Sequence, residues 1–590
     1  MRNYINFIRK IHFILGNAYT HNLYKIVLLI LFGAILEIFG ITLIIPALNF
    51  LLNPELTINV IEKKLSSEFF FNLFITIKTY SVFYIGIFIF IFIFFIFTLK
   101  FFYLIFVAWL SSKFVLDIQK YVTEKLFTTY INKEYKFYLK SNGSILASTV
   151  VKESSVFAST IIGSIIMLLT EGLMIIGCVS LIIIFSPKLS IIILTFSSLI
   201  IYVYYTLIKQ RVTIWGKKRQ DHDALKLKNL YQSFENIKII KLMGLENFFS
   251  KNFFSHNKIA TEMDRNSFFL SKIPNIGLEY LVIIILIISV ILILISSTDV
   301  NELITLLALY AATAFKMMPS INRSLNSLTG LKYGASVVSL IFNELNIKKN
   351  DKFYNIKFDD SATNEIKFQN KIELKNINFK YDDSEDLVLD NVSINIFKND
   401  FIGIVGESGS GKTTFLNIFL TLLSPSSGEY FVDKKEIGKE NVTSWRKRIS
   451  FVPQEPYLVD DTLLKNIAFG IDDNLINIQR VIQCLDIAQF SINKKNLNIM
   501  IGEKGIKLSG GQKQRISIAR ALYADPDIIV MDEPTSSLDI NTERKIINAI
   551  NELSKNKTIL LVSHRKSVME KCNKIFEIEG KKFNLIHEDN

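Results

Sequence analysis

Residues 401–420 read "FIGIVGESGSGKTTFLNIFL" and predict a β-strand, a glycine-rich loop and an α-helix in succession. Gly406, Gly411, Lys412 and Thr413 fit the pattern G-x-x-x-x-G-K-[ST]. Glycines at these places let backbone N–H groups close around phosphates, the lysine reaches the β- and γ-phosphates, and the threonine ligates Mg²⁺. We therefore expect a nucleotide to contact the residues Gly406, Glu407, Ser408, Gly409, Ser410, Gly411, Lys412, Thr413 and Thr414.

A second stretch, "DIIVMDEPTSSLD" at residues 527–539, predicts a buried strand that ends in two acids. Four apolar residues, Ile528 to Met531, precede Asp532 and Glu533. Because α/β sheets bind ligands at the carboxyl ends of their strands, the pair suits an Mg²⁺-coordinating Asp532 and a water-activating Glu533. The alternative is a helix cap or a pair of surface charges, and the buried strand disfavours it.

A third stretch, "LSGGQKQRISIARAL" at residues 508–522, predicts the start of an amphipathic helix. Ser509, Gly510 and Gly511 lie at its N-terminus, where free N–H groups and the helix dipole both favour an anion. The chain already has one phosphate loop, so a second phosphate site indicates a second nucleotide contact.

These stretches resemble the nucleotide-binding domain of ATP-binding cassette (ABC) transporters, and the matching motifs cover residues 372 to 564. The resemblance implies that ATP and Mg²⁺ are bound and that ATP hydrolysis is coupled to transmembrane transport. It also implies that Tyr381 stacks on adenine, and that Gln454 in "VPQEP" senses Mg²⁺ and the attacking water. His564 in "VSHR" would hold the γ-phosphate.

The same resemblance gives the third stretch a role. Leu508 to Gln512 would form the signature loop, and Asp539 in "SSLD" would couple two nucleotide sites. The complete set implied for catalysis is Glu533, His564 and Gln454, and the set implied for Mg²⁺ is Thr413, Gln454 and Asp532. The resemblance adds six residues to the predicted nucleotide contacts, namely Tyr381, Ser509, Gly510, Gly511, Gln512 and Asp539.

The family resemblance also bears on oligomeric state. ABC transporters hold each ATP between the phosphate loop of one subunit and the signature loop of the other, so a chain with one cassette needs a partner. We expect a homodimer, since both halves of the site carry intact motifs. A heterodimer stays open.

The composition divides the chain into two parts. Its 590 residues exceed what one hydrophobic core usually holds. Half of the residues are hydrophobic and 48 are Phe, and this richness is concentrated in the first part. We predict an α-helical transmembrane domain of six spans at 1–343, a linker at 344–370, and an α/β P-loop ATPase domain at 371–590.

The net charge of +13 is largely explained by where lysines and arginines lie relative to the apolar segments, so we expect no nucleic-acid partner. The three cysteines indicate no disulfide framework, which suits a reduced cytosolic compartment for the ATPase domain.

Six apolar segments are long enough to cross a ~30 Å hydrocarbon core. They lie at about 24–52, 82–110, 157–185, 189–209, 273–297 and 302–328. The first begins near Ile26 and is too long for a signal-peptide core, so we expect it to remain as an anchor.

The connections between these segments set the orientation. Residues 111–155 carry seven Lys and residues 209–258 carry eleven Lys plus Arg, whereas the other three connections together carry four. By the positive-inside rule, the two basic connections, both termini and the ATPase domain are cytoplasmic. The connections also look helical and would continue the spans beyond the membrane.

Six spans followed by a cassette resemble the ABC exporters, in which the basic connections would carry coupling helices near 136–150 and 222–236. We expect a multi-pass protein of the bacterial inner membrane that moves its cargo outward.

The sixth segment contains "AFKMMPSINRS" at residues 314–324, with two cations inside an apolar helix. At 100° per residue Lys316 and Arg323 share one face with three serines, whereas the opposite face is apolar. The cations would be costly in lipid, so we expect them to line an inner cavity for an anionic head group. The alternative is that Lys316 pairs with an intramembrane acid, available at Glu37, Glu171 and Glu279, while Arg323 snorkels to the interface.

This pattern, with "LEIFGITLIIPALNFLL" at residues 36–52 and an outer helix within 53–81, resembles the bacterial flippases of lipid-linked oligosaccharides. That resemblance implies a polyprenyl-diphosphate glycan whose diphosphate meets Lys316 and Arg323. A flippase of lipopolysaccharide precursors and a multidrug or peptide exporter stay open as alternatives. An ATP-gated channel or sensor is disfavoured, since such proteins often lose the catalytic glutamate or the signature, and this chain has both.

Overall fold

The computed structural model describes most of the chain as two compact units. The described residues are 2–43, 47, 50–51, 54, 82–185, 195, 198, 202–204, 206, 211–296, 300–346, 366–382, 384–490, 496–502, 505–535 and 538–588. One unit comprises Met1–Ile131 with Ser141–Ile347, and the other comprises Asn132–Lys140 with Lys348–Asn590. Of the predicted linker at 344–370, residues 347–365 lie outside the described residues.

Most of the described residues before the first strand are helical. Its helices are α1 (Arg2–Thr42), α2 (Val82–Ile131), α3 (Tyr135–Lys140), α4 (Gly143–Ser148), α5 (Ser154–Val156), α6 (Gly163–Phe185), α7 (Arg211–Glu235), α8 (Ile237–Met243), α9 (Glu246–Ser296), α10 (Val300–Tyr333) and α11 (Ala335–Leu345). Two π-helical segments, Thr149–Glu153 and Phe157–Ile162, lie on either side of α5. A helix satisfies its own backbone groups, which is what an apolar segment needs inside lipid.

The predicted spans agree with these helices. The second, third, fifth and sixth fall on α2, on the second π segment with α6, on α9 and on α10. The fourth, at 189–209, and the outer segment at 53–81 lie almost entirely outside the described residues. Three described stretches are both long and apolar enough to cross a membrane, namely Ile5–Thr42, Phe83–Ile131 and Gly143–Ile184.

The helix that contains the first predicted span begins well before that span. The prediction begins at about residue 24, whereas α1 begins at Arg2 and bends at Gly16, which has a φ of 69°. A search for continuous apolar sequence misses the earlier part because charged residues such as Arg9 and Lys10 interrupt it. This part packs by one face, since Ile14 and Leu15 are buried while Ile8 is exposed.

Two helices extend far beyond a membrane, as predicted for the basic connections. The helices α2 and α9 contain 50 and 51 residues, which corresponds to about 75 Å each at 1.5 Å per residue. The predicted coupling segment near 222–236 continues the long helix α7 almost to its end. The short helix α8 follows it and ends where Gly244 adopts the left-handed conformation at a φ of 64°. The coupling role stays a prediction.

The other predicted coupling segment, near 136–150, overlaps the short helices α3 and α4. The helix α3 belongs to the second compact unit. There Lys136 Nζ donates to Asp382 Oδ1 at 2.6 Å. Asp382 directly follows Tyr381 in the sequence. This hydrogen bond keeps the pKa of Asp382 below its usual value, because it stabilises the charged carboxylate.

The second unit contains two sheets. Four strands, β1 (Lys371–Phe379), β2 (Leu389–Phe397), β4 (Ser427–Val432) and β5 (Lys435–Glu436), form an antiparallel sheet in the order β2-β1-β4-β5. The remaining strands are β3 (Phe401–Gly406), β6 (Ile449–Val452), β7 (Ile528–Asp532), β8 (Thr558–Val562), β9 (Lys574–Glu579) and β10 (Lys582–Glu588). They form a sheet in the order β10-β9-β3-β8-β7-β6, in which β10 alone pairs antiparallel.

Besides α3, the described α-helices of this unit are α12 (Lys412–Phe419), α13 (Val442–Arg446), α14 (Leu463–Ile467), α15 (Ile478–Ile487), α16 (Gly510–Tyr523), α17 (Ile540–Ser554) and α18 (Lys566–Met569). The central strands β7 and β8 are buried almost throughout, so apolar clusters cover both faces of the sheet. The predicted α/β fold of this domain is confirmed. In the parallel sheet, the carboxyl ends of β3, β7 and β8 meet at one edge, where a ligand site is expected.

Candidate active site

The glycine-rich loop leaves the end of β3 and enters α12. Gly406 has a φ of 153° and Gly411 a φ of 104°, a region that side chains rarely adopt. A Cβ at Gly406 would also lie 2.8 Å from the backbone oxygen of Ile578. Because glycine removes both obstacles, the loop can turn back sharply between the strand and the helix.

Lys412 folds back over this loop. Its Nζ donates to the backbone oxygens of Gly406 at 2.6 Å and Glu407 at 2.8 Å. The next residue, Thr413, is exposed in the first turn of α12. Both side chains therefore lie at the helix start, where the dipole favours an anion.

Ser410 adds a further observation in the same loop. Its Oγ is buried and has no hydrogen-bond partner among the described residues. A buried hydroxyl without a partner costs free energy, so an external acceptor or donor at this place would stabilise the loop. Glu407, Ser408 and Gly409 are exposed beside it, so the loop is open to a ligand.

Tyr381, the predicted adenine contact, lies beside the start of α12. Its hydroxyl is 3.1 Å from Thr414 Oγ1, and its ring packs edge-on against Phe379 with centroids 5.0 Å apart. The structure therefore brings together two predicted contacts that are 33 residues apart in the sequence.

The acids predicted for catalysis follow β7 directly. Burial, and next the neighbouring Glu533 carboxylate, raise the pKa of Asp532, whereas the nearby Lys412 opposes this shift. Glu533 has a φ of 45°, and its backbone N–H donates to the Val562 oxygen of β8 at 2.9 Å. A left-handed glutamate is strained, and such residues concentrate at functional sites.

Two other predicted residues surround the Glu533 carboxylate. Gln454 Nε2 donates to Glu533 Oε2 at 2.8 Å, and His564 Nε2 lies 3.8 Å from Glu533 Oε1. Gln454 follows the end of β6 and His564 follows the end of β8, so three strand ends deliver these side chains to one place. The arrangement can hold a water against the carboxylate, as a general base requires.

Sequence reasoning missed the residues that position this centre. The carboxylate of Glu543, on α17, is buried, pairs with Arg565 beside His564, and accepts from Ser567 Oγ at 3.2 Å. Gln514 of α16 is also fully buried and donates to the backbone oxygen of Pro453 at 3.3 Å. No local pattern marks these contacts; only the polar character of Gln514 inside an amphipathic helix offers a signal.

The predicted signature loop begins α16 as expected. Ser509 caps the helix by accepting from the backbone N–H of Gln512 at 3.3 Å, while Gln512 Oε1 accepts from the Ser509 N–H at 2.8 Å. Such a reciprocal cap fixes the helix start. Within the described part of the second unit, no hydrogen bond joins Ser509, Gly510, Gly511 or Gln512 to the glycine-rich loop of the same chain.

Asp539 also caps a helix. It precedes α17 and accepts from the backbone N–H of Thr542 at 3.0 Å. This bond to the ionised carboxylate lowers the pKa of Asp539. The geometry supports a fixed backbone at this position, and a coupling role for Asp539 stays a prediction.

These residues fit a Mg²⁺-nucleotide. The loop offers the unpartnered Ser410 hydroxyl, the Lys412 ammonium and the start of α12, all of which favour phosphate. Burial disfavours the charged form of Asp532, so a divalent cation beside it would restore that charge. Thr413, Gln454 and Asp532 would hold the cation, with oxygen donors of the type that Mg²⁺ prefers.

The two cations predicted for the substrate cavity are both paired. Lys316 Nζ donates to Glu37 Oε1 at 2.9 Å. Arg323 donates twice to Glu171, from Nε at 2.6 Å and from Nη2 at 3.1 Å. The alternative pairing of Lys316 is therefore observed, and Arg323 does more than snorkel. A role in substrate binding stays a prediction.

This chain is similar in sequence to several known proteins. Residues 389–536 match the sequence profile of the ABC transporter family. The chain is 28% identical over 482 residues to the ATP-dependent lipid A-core flippase of Pectobacterium atrosepticum, covering 80% of each protein. It is 29% identical over 495 residues to a putative export ATP-binding/permease protein of Rickettsia typhi, covering 80% of this chain and 81% of the relative.

A solved structure shows the same fold over nearly the whole length. It is a bacterial Atm1-family ABC exporter with ATP bound, and it superposes with a TM-score of 0.73 at 18% identity. The match covers 96% of this chain and 95% of the exporter. A helical domain followed by an α/β nucleotide-binding domain is therefore the arrangement in both chains.

Proposed function

This chain carries the ATPase domain of an ABC transporter after a helical domain with the ABC-exporter fold, and from that premise we propose that it flips an anionic, amphipathic lipid. It is an ATP hydrolase whose reaction is coupled to transport. We place the ATPase domain and both termini in the cytoplasm of a bacterium and the helical domain in its inner membrane. The basic connections support this orientation.

One observation carries the choice of an anionic substrate. Two cations, Lys316 and Arg323, lie in α10 within a predicted span, and their side chains are 35% and 42% exposed. Charged side chains inside a membrane usually mark a substrate pathway. A phosphate-bearing head group that reached these cations would gain charge-assisted hydrogen bonds.

Two classes of head group fit this chemistry. The sequence pattern of α10 supports a polyprenyl-diphosphate-linked oligosaccharide, whose diphosphate would meet Lys316 and Arg323. The relatives named ATP-dependent lipid A-core flippase support a lipopolysaccharide precursor instead, and one of them, from Escherichia coli, is 27% identical over 484 residues. Both are glycolipids that carry phosphate, and this shared chemistry is what we propose the chain recognises.

In the proposed reaction, Glu533 accepts the proton of the water that attacks the γ-phosphate. Gln454 orients the carboxylate and that water, and His564 holds the γ-phosphate. Thr413, Gln454 and Asp532 would hold Mg²⁺, which when bound would neutralise charge that develops on the phosphate oxygens. In the described part of the ATPase domain, no hydrogen bond joins Ser509, Gly510, Gly511 or Gln512 to the phosphate loop of the same chain. This supports a homodimer in which these residues contact the partner's nucleotide.

The double substitution Lys316→Ala with Arg323→Ala tests the substrate site. We expect ATP-driven translocation of a phosphate-bearing glycolipid in proteoliposomes to fall at least about tenfold, because two charge-assisted contacts are lost. ATP hydrolysis without added glycolipid should persist. Lys113→Ala is the matched control, since Lys113 is an exposed cation over the Trp109 ring of α2. Unchanged glycolipid transport in a folded, ATP-hydrolysing double variant refutes this site.

A further inference from the structure

In both ion pairs of α10, the cation is more exposed than the acid. Glu37 and Glu171 have side-chain exposures of 12% and 7%, whereas their partners Lys316 and Arg323 are 35% and 42% exposed. In each pair, therefore, the cation is more accessible than the acid. An incoming molecule can contact the ammonium and the guanidinium more readily than either carboxylate.

The acids come from two helices other than α10. Glu37 belongs to α1 and Glu171 belongs to α6, so each pair crosses a helix–helix contact. Burial of an unpaired carboxylate in such a place is costly, and the nearby cation offsets that cost. The cation, being more exposed, keeps donor capacity for a second acceptor, since a guanidinium has five N–H donors and an ammonium three.

We propose that Glu37 and Glu171 are resident counter-ions that tune the site for phosphate-bearing head groups. This inference rests on the proposed function and adds two specificity-determining residues to it. Without a ligand, each carboxylate neutralises its cation and keeps the site from attracting any small anion. A phosphate that enters must compete with the carboxylate for the cation. This competition excludes weakly binding anions, and it keeps the affinity for the phosphate low enough for release.

The spacing of the two pairs indicates what such a head group offers. Lys316 and Arg323 are seven residues apart, which places them on nearly one face of α10 and about 10.5 Å apart along its axis. Two acceptor groups on one head group, or one diphosphate with further polar atoms, would engage both. A single small anion engages only one pair.

A third cation lies near the first pair. The Nζ of Lys100 on α2 lies beside Gly40, which follows Glu37 by three residues on α1. Removal of the Glu37 charge would therefore leave the ammonium groups of Lys316 and Lys100 in this region without that carboxylate. We expect an anionic head group to be drawn there more strongly than in the native chain.

The test replaces each acid by its uncharged isostere. Glu37→Gln and Glu171→Gln are reconstituted separately in nanodiscs of neutral lipid, and ATPase activity is followed during glycolipid titration. The probes are a diphosphate-linked glycolipid, a disaccharide glycolipid with one phosphate at each end, and the dephosphorylated form of the latter. Glu279→Gln is the matched control, because Glu279 is an exposed acid of α9 without an ion pair in the described part of the chain.

We expect each Glu→Gln variant to reduce the half-maximal concentration of at least one phosphorylated probe about three- to tenfold, since its cation no longer has a competing carboxylate. The maximal glycolipid-stimulated ATPase rate should fall, because release of the glycolipid becomes slower. The dephosphorylated probe should respond as in the native chain. The paired variant Glu171→Gln with Arg323→Gln carries no buried unpaired charge, and it should lose the increased affinity seen in Glu171→Gln alone.

Two results overturn the counter-ion role while leaving the proposed function intact. In the first, Glu37→Gln and Glu171→Gln behave like Glu279→Gln toward every probe. In the second, they weaken phosphorylated and dephosphorylated probes equally, which indicates that the acids only support packing. If the native chain responds to neither phosphorylated probe, the proposed function itself fails and this inference fails with it.

Discussion

Replacement of Glu533 by Gln is expected to reduce ATP hydrolysis by about 10²- to 10⁴-fold, the range attributed to a positioned general base. The amide keeps the size of the side chain and can still contact Gln454, but it cannot accept the proton of the attacking water. The phosphate loop, Lys412 and Tyr381 are unchanged, so nucleotide binding should persist. Steady-state phosphate release and equilibrium binding of a fluorescent ATP analogue measure the two properties separately.

The control for this variant is Glu552→Gln. Glu552 is an exposed acid of α17 that pairs with Lys555 on the surface, and its loss should leave hydrolysis unchanged. Normal turnover in Glu533→Gln contradicts the assignment of Glu533 as the base. Loss of both binding and hydrolysis points instead to a structural role for the strained backbone at this position.

Two variants that are each inactive as homodimers are expected to regain ATP hydrolysis when one copy of each forms a mixed dimer. Lys412→Ala removes the ammonium of the phosphate loop, and Gly510→Asp places a negative charge at the N-terminus of α16. Each variant alone should lose nearly all hydrolysis, because both sites of its homodimer are damaged in the same way. The helix itself tolerates Asp in its first turn, since that charge is favourable to the dipole.

A mixed dimer behaves differently if each site combines the loop of one chain with the signature of the other. One of its sites then carries both substitutions and the other carries neither. Dimers purified through two different tags should hydrolyse ATP at about half the wild-type rate, given two equivalent sites in a symmetric dimer. Mixed dimers as inactive as either parent contradict the proposed exchange of signature loops between copies.

The residues predicted for the nucleotide site lie close together in the structure, and the sequence could indicate this because each piece of the site is local. Gly406 to Thr414 form one strand–loop–helix unit, and Asp532 with Glu533 end one apolar strand, so the residue pattern alone locates them. Their convergence follows from a general property of parallel sheets, whose carboxyl ends meet at one edge. The contact of Gln454 and His564 with one carboxylate follows from the same rule.

The parts that sequence reasoning left open or missed depend on contacts between distant residues. Lys316 and Glu37 are separated by 279 positions, and Arg323 and Glu171 by 152. A helical wheel shows which face of α10 carries the cations but not which neighbouring helix supplies an acid. The Glu543–Arg565 pair likewise needs the packing of α17 beside the loop after β8.

The sequence indicates which segments are helical more reliably than it indicates where each helix begins and ends. The apolar runs identify spans because lipid demands apolar side chains, but the hydrogen-bonded helix continues into polar sequence at no cost. This explains why α1 begins at Arg2 and why α7 runs through the predicted coupling segment to Glu235.

ATP-driven lipid translocation in proteoliposomes tests the central claim most directly. The native chain and Glu533→Gln are reconstituted with a diphosphate-linked glycolipid, a phosphorylated disaccharide glycolipid, its dephosphorylated form and a cationic drug, each labelled and followed separately. We predict that the native chain moves at least one phosphorylated lipid with ATP, that Glu533→Gln does not, and that the other two probes move slowly or not at all. A native chain that hydrolyses ATP yet moves the dephosphorylated lipid or the drug as fast as both phosphorylated lipids contradicts the account.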